Sequence, residues 1–418
     1  MPQPTDTVDS ARTLLTGRDE IVVLSAMWPA QPDVLLRAFL DEALRADIRL
    51  TVLAADVSGR WPFVRAEHVP ALEAGKLALV SLAGAVPRHL AAHIDHFPSS
   101  MFDIERQLAN GRVSVDVFVA RVGRVTDGPG FVLGDMIGYT PAALDRARSV
   151  GFEVSDGVTR VGGYPPVDAD RPTTVCSGPA VLPVTAAPTA SAIHDRIGAL
   201  SSDLLPGDAT LQLGLGSVPE ALVPHLTGKP RLGLHTGVMP ATLRSLIRDG
   251  AFSAAAKTDR KGEHVATGVM PGPDSAWGDQ LVLESVAITH SPEVLARQYR
   301  LWALNSAFEV DLFGQSNAEY VDGVRAASGG GQADFLRAAH LSDGGGAVLM
   351  LPARTRSGRS RIVARLGPPH HTTSASGDLD FVVTEYGVAR LTGATVSQRA
   401  ERLIAIAHPD DRGSLRRA

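Results

Sequence analysis

Two short stretches of this chain carry residue types that chemistry needs. In Leu211-Gln212-Leu213-Gly214-Leu215-Gly216-Ser217-Val218 an apolar run breaks into glycines just before a helical pattern. Such a turn leaves bare backbone N–H groups at a helix start, where a phosphate or a developing oxyanion can be held. A little further on, Leu234-His235-Thr236-Gly237-Val238-Met239 offers an imidazole and a hydroxyl beside an apolar run. A second glycine turn, Ser328-Gly329-Gly330-Gly331-Gln332, stands directly before the helical run at 336–340. Two such turns in one half of the chain predict a cradle for the phosphates of a long anionic ligand, built from backbone donors and helix dipoles rather than lysines.

Side chains able to move a proton are few. Lys261-Gly262-Glu263-His264 sets a carboxylate beside an imidazole, and either could serve as a base near neutral pH. Charge-rich turns are common, and the same four residues read more simply as a solvated charged loop. His235 and Thr236 could orient a carbonyl or a water, although a histidine beside an apolar run also reads as a packing residue. Glu309, Asp311 and Glu385 are expected to be buried, hydrogen-bonded structural carboxylates. The single cysteine, Cys176, lacks a partner, so neither a disulfide framework nor a zinc cluster is expected, and no metal site is predicted.

The elements that must position these residues alternate. Strands are predicted at 21–24, 50–54, 77–80 and 115–120, with helices at 34–44 and 141–150. A Pro/Thr/Ala/Ser-rich stretch at 165–190 interrupts the cycle and predicts a domain boundary. The cycle then restarts with a helix at 191–201 and a strand at 210–213. Further strands follow at 303–304, 310–313, 347–351 and 381–384, and a closing helix at 398–407. This is an α/β chain of two related open domains with mostly parallel sheets, residues 1–185 and 186–418. In open sheets of this kind ligands bind beyond the carboxyl ends of the strands, which makes the turn after Leu213 a candidate site on topology alone.

Composition narrows the partners. With 418 residues and 44% hydrophobic content the chain can bury a full core. A formal net charge of −5 offers no basic field, so nucleic acid is not an expected partner. No apolar run approaches a membrane span, and residues 1–9 lack the basic and apolar regions of a signal peptide. A cytoplasmic location is the expectation.

The stretches above, with Asn305-Ser306-Ala307-Phe308-Glu309-Val310-Asp311-Leu312-Phe313-Gly314-Gln315, Gly330-Gly331-Gln332-Ala333-Asp334-Phe335, Val383-Thr384-Glu385-Tyr386-Gly387 and Ile406-Ala407-His408-Pro409, resemble the acetyl-CoA hydrolase/transferase family, which includes 4-hydroxybutyrate CoA-transferases. The resemblance is strong over about 208–415 and thin before it. It implies two domains of the CoA-transferase type, an acyl-CoA substrate in the cleft and a homo-oligomer. It also implies that Gln212, Gly214, Leu215, Gly216, Ser217, Val218, Gly237, Gly330, Gly331 and Gln332 bind coenzyme A. Members attack the thioester with a glutamate carboxylate, and the position that should hold it is Gly237. Hydrolysis, or a related water addition, by a base drawn from His235, Glu263 and His264, with Thr236 orienting the thioester carbonyl or the water, is therefore the expected activity. A transferase using a displaced glutamate and a non-catalytic CoA-binding protein are the alternatives. Phe152-Glu153-Val154-Ser155-Asp156-Gly157 departs from the family pattern and implies an altered acyl pocket.

Overall fold

The structure, a computed structural model, describes residues 3–126, 128–158, 161–180, 191–271, 277–368 and 371–418. The first half runs α1 (Thr7–Leu15), β1 (Glu20–Ser25), α2 (Asp33–Arg45), β2 (Arg49–Asp56), β3 (Leu77–Ala85), α3 (Met101–Ala109), β4 (Val117–Arg124), β5 (Ser149–Val154) and β6 (Thr174–Ser177). These strands lie in the order β3-β2-β1-β4-β5-β6, each neighbour parallel to the next. Val23, Leu24, Val52, Val117, Phe118 and Val119 are all fully buried, as central strands covered on both faces require. Helix α2 starts after Pro32, whose side chain cannot cap it. The buried carboxylate of Glu153 takes that part, accepting from the N–H groups of Val34 and Leu35 while paired to Arg121 at 3.1 Å.

The second half repeats the plan. It runs α4 (Ala192–Leu204), β7 (Thr210–Leu213), α5 (Ser217–Glu220), β8 (Gly233–Met239), β9 (His264–Val269), β10 (Leu281–Leu283), α6 (Val286–Thr289), β11 (Leu301–Ser306), α7 (Gln332–Leu341), β12 (Gly346–Met350), β13 (Phe381–Thr384), β14 (Gly387–Arg390) and α8 (Val396–Ile406). The strand order is β10-β9-β8-β7-β11-β12-β13-β14, parallel except for the β13–β14 hairpin. Both sheets thus grow outward one way and then jump back to the first strand, which opens a crevice at β1/β4 in one and at β7/β11 in the other. Helix α8 is fixed at its start by a reciprocal capping box between Thr395 and Gln398. The expected α/β class with mostly parallel sheets is the one observed.

The two halves are stitched together. The two-residue strand Ala327–Ser328 crosses over to pair antiparallel with β3, and Ser328 Oγ lies 3.0 Å from Ser81 Oγ. This brings the glycine turn at 329–331 against the first sheet. Three sequence expectations need correction. The helix predicted at 141–150 ends at Arg146, because the apolar run that follows is long enough to form β5, where Val150 and Phe152 are fully buried. The stretch 165–190 is not all boundary, since Thr174–Ser177 is the edge strand β6; the expected division at 185/186 lies outside the described residues. Glu309–Asp311 belongs to a separate three-stranded sheet, and Asp311 is buried there accepting from the N–H groups of Phe313 and Gln315.

Candidate active site

The site grows from the crevice where the second sheet reverses direction. Leu213 of β7 is in register with Leu304 of β11, and the N–H of Gly214 donates to Leu304 O at 2.8 Å. The two strands also exchange amides. Asn305 Nδ2 donates to Gln212 Oε1 at 2.7 Å, and Gln212 Nε2 returns to Asn305 Oδ1 at 3.3 Å. On the other side of β7, Thr236 Oγ1 donates to Leu213 O at 3.2 Å, which sets Gly237 at the cleft end of β8. Gly216 adopts φ +120°, a conformation that needs glycine, and its N–H donates to Glu220 Oε1 at 3.3 Å. The helix after it, α5, is a single turn, so little dipole is added there. The longer helix is α7, which begins at the second glycine turn with no side-chain cap.

These elements enclose a cavity of about 290 Å³. Gln212, Thr236, Asn305 and Gln332 supply polar side chains, and Met27, Val57 and Met101 from the first half close the opposite wall. Among the described residues no Asp, Glu, Lys or Arg lines it. The N–H groups of Leu215, Gly330 and Gly331 make no hydrogen bond within the described structure. They are donors waiting for an acceptor.

One titratable side chain reaches this space. His290, 4% exposed, follows α6 and turns its Nε2 toward Gly237. A Cβ built on Gly237 would stand 3.3 Å from that nitrogen, and one built on Gly331 only 2.4 Å. The imidazole is held from behind by Thr289 Oγ1, 2.9 Å from Nδ1, and from the side by Phe335, its ring centroid 4.7 Å away. Burial pulls its pKa down to about 3, so the ring is neutral at physiological pH.

A second, larger cavity of about 960 Å³ opens beyond Leu215, which lines both spaces. Its walls include Gly216, Ser217, Val218, Phe308, Arg354, Arg356 and Arg361. Arg354 is tied to Asp411 at 2.6 Å, whereas Arg361 is half-buried, with its Nε unpartnered among the described residues. Burial lowers the pKa of Arg361 and of His194 beside it. The outer cavity is basic and the inner one is uncharged.

Relatives settle what such a site belongs to. The 4-hydroxybutyrate coenzyme A transferase of Clostridium kluyveri is 32% identical over 328 residues, 77% of this chain and 76% of that protein. The chain belongs to the acetyl-CoA hydrolase/transferase family. The model of the acetyl-CoA hydrolase/transferase C-terminal domain matches residues 277–418. The acetyl-CoA hydrolase of Eremothecium gossypii is 31% identical over 224 residues, 51% of this chain and 40% of that protein. The crystal structure of RipA from Yersinia pestis has the same fold, with a TM-score of 0.89 at 27% identity, over 99% of this chain and 96% of that one. This is a CoA-thioester enzyme of that family.

Within this family member, all ten residues expected to bind coenzyme A line one of the two cavities: Gln212, Gly214, Leu215, Gly237, Gly330, Gly331 and Gln332 the inner, and Leu215, Gly216, Ser217 and Val218 the outer. Of the expected catalytic residues only Thr236 lines the cleft. Glu263 and His264 sit at the start of β9, the opposite end of the sheet from the cavity, because parallel strands present only their carboxyl ends to the crevice. Glu263 pairs with Arg260 at 3.2 Å, and the fully buried His264 accepts the N–H of Leu234 at 3.2 Å. His235 does not line the cleft: two residues below Gly237 on the same strand face, it donates through Nε2 to Thr289 O at 3.2 Å. Phe152 and Glu153 are buried in the first sheet's core and do not line the inner cavity. Cys176 is buried, and burial with the nearby Glu153 carboxylate pushes its thiol up to about 12. Sequence reading missed His290, Asn305 and the methionine wall. Thr289-His290-Ser291-Pro292 carries no spacing signal, and only the sheet order brings it to Gly237.

Proposed function

We propose that this enzyme hydrolyses acyl-CoA thioesters by direct attack of water, with no covalent glutamyl intermediate. The observation that carries the reading is the uncharged inner cavity: Gly237 stands where the family's glutamate is expected, and no described carboxylate lines the space around it. Glu263, the displaced carboxylate a transferase would need, is committed to Arg260 at the far end of the sheet. The acyl-CoA lies with its phosphates in the basic outer cavity, near Arg356 and Arg361, and its pantetheine passes Leu215 into the inner one. There the N–H groups of Gly331 and Leu215 face the thioester carbonyl, each donor worth about 3 kcal/mol as negative charge develops on that oxygen. The walls of Met27, Val57, Met101 and Phe335 favour an apolar acyl group without a second carboxylate. A cytoplasmic homo-oligomer of two domains per chain completes the proposal, and sedimentation of the purified protein tests its assembly.

The test is release of free thiol from acetyl-, butyryl- and succinyl-CoA, with and without a carboxylate acceptor. The expected result is acceptor-independent release, with butyryl-CoA ahead of succinyl-CoA. Exchange that requires the acceptor would restore the transferase reading, and coenzyme A binding without turnover would leave a binding protein. The phosphate placement has its own check. Arg356→Ala should raise KM about tenfold at unchanged kcat, the loss of roughly one charge-assisted contact, and an acyl-pantetheine lacking the phosphates should not feel the substitution.

A further inference from the structure

We infer that His290 is the catalytic base, accepting the proton of the attacking water at Nε2 from the space that a side chain at position 237 would otherwise fill. The inference rests on the hydrolytic reading above and deepens it. Two observations place the imidazole in that role. Its Nε2 is the nearest atom to the Cβ position of both Gly237 and Gly331, so the ring reaches between the cleft end of β8 and the start of α7. It is the one titratable side chain among the described residues that line the inner cavity. Thr289 Oγ1 lies 2.9 Å from Nδ1, and the same hydroxyl also meets Ser285 O at 3.1 Å and Thr267 Oγ1. A base at Nε2 requires the tautomer in which Nδ1 donates to Thr289 Oγ1 and Nε2 presents its lone pair to the cleft.

His235 is then a positioning residue. Its Nε2–H bond to Thr289 O pins the backbone immediately before His290, so the histidine expected at the site serves it from two residues below Gly237 on the same face of β8. Phe335 and Gly331 complete the setting: the phenyl ring packs against the imidazole, and only a residue without a Cβ leaves Nε2 free on that side.

The step balances without any other reactant. Water oxygen bonds to the thioester carbon as Nε2 takes a water proton, and the C=O π pair moves onto oxygen, where the backbone N–H groups hold it. Collapse re-forms the C=O bond and breaks the C–S bond. The departing thiolate takes the proton from Nε2, which leaves the carboxylic acid, free coenzyme A and neutral His290. The oxyanion forming beside the ring favours the imidazolium and offsets the burial that opposes it.

The experiment compares wild type, His290→Ala and His290→Gln in butyryl-CoA hydrolysis, with coenzyme A affinity measured by calorimetry and the imidazole nitrogens of wild type read by 15N NMR. The expected result is a kcat drop of about 100-fold or more in both variants with coenzyme A affinity kept within about threefold, and partial rescue of His290→Ala by added imidazole. The 15N spectrum should show a protonated Nδ1 and a bare Nε2. Variants that turn over within about threefold of wild type, while wild type hydrolyses freely, would overturn the base and leave the hydrolase standing. An acyl group trapped on His290 would overturn the base by making it a nucleophile. Wild type that releases no thiol at all would overturn both readings. If neither variant folds, an Nε2-protonated tautomer in the wild-type spectrum still refutes the assignment.

Discussion

The two ends of strand β8 make opposite use of buried bases. At the end nearer its start, Lys257, His264 and His235 crowd around Leu234, and each is at most 1% exposed. Lys257 Nζ donates to Leu234 O at 3.2 Å, and burial pulls its pKa down to about 7. Burial pulls His264 down to about 4, with the Lys257 charge adding to the shift. At the other end, Gly237 faces a single histidine across a cavity with uncharged walls. Perturbed titratable groups gather at functional sites, but the first end shows that perturbation alone is only a sign of burial. Chemistry needs room for a substrate, and only the carboxyl end of the strand has it.

The sharpest way to break this contrast is to fill the open end. Gly331→Val drives a side chain into His290 Nε2, and turnover should fall by about 100-fold or more. Unchanged turnover would mean that the imidazole is not needed where it lies. Next in size is a stability effect spread over both ends. His264 and His290 have folded pKa values of about 4 and about 3, below the ordinary 6.5. Their depressed values supply stability that is complete above pH 6.5 and lost as pH falls through the folded values, because the unfolded chain binds these protons first. The melting temperature should therefore decline from pH 6.5 toward pH 4, and His264→Phe should flatten that decline. The closed end alone is probed by Lys257→Met. Burying an amine whose folded pKa is depressed to about 7 from 10.5 costs stability at neutral pH, fully so below the folded value, and the cost disappears as pH rises through 10.5. This variant should melt roughly 2 °C higher or more at pH 7, lose that advantage above pH 10.5, and keep its turnover. The smallest effect belongs to Glu263→Ala, which should leave kcat within about twofold, since a half-exposed carboxylate paired to Arg260 contributes little.

Sequence reading reached the strand ends and missed what fills them. The glycine turns at 214–216 and 329–331 were legible because an apolar run breaking into glycine before a helix has a local cause, and both turns line the cleft. Gly237 has no such local signal and stands out only through the family resemblance, as the position expected to hold a glutamate. His235 and His264 were offered as bases because they are near Gly237 in the chain. His235 lies on the same face of β8 as Gly237 but two residues further from the carboxyl end, and the direction of the parallel sheet puts His264 at the far end. His290 could not be found that way. It reaches Gly237 through the β7/β11 reversal and the turn after α6, contacts between segments far apart in sequence. Helix 141–150 failed for a related reason: an apolar run reads as helix or strand by period alone, and the parallel partner that made Ser149–Val154 a strand lies elsewhere in the chain.

The central claim, hydrolysis without a covalent enzyme intermediate, is tested most directly by the intact mass of the protein quenched in acid during steady-state turnover of butyryl-CoA. The account predicts acceptor-independent thiol release with the protein at its unmodified mass throughout. A mass increase matching an acyl group or coenzyme A, appearing and decaying with turnover, would contradict it.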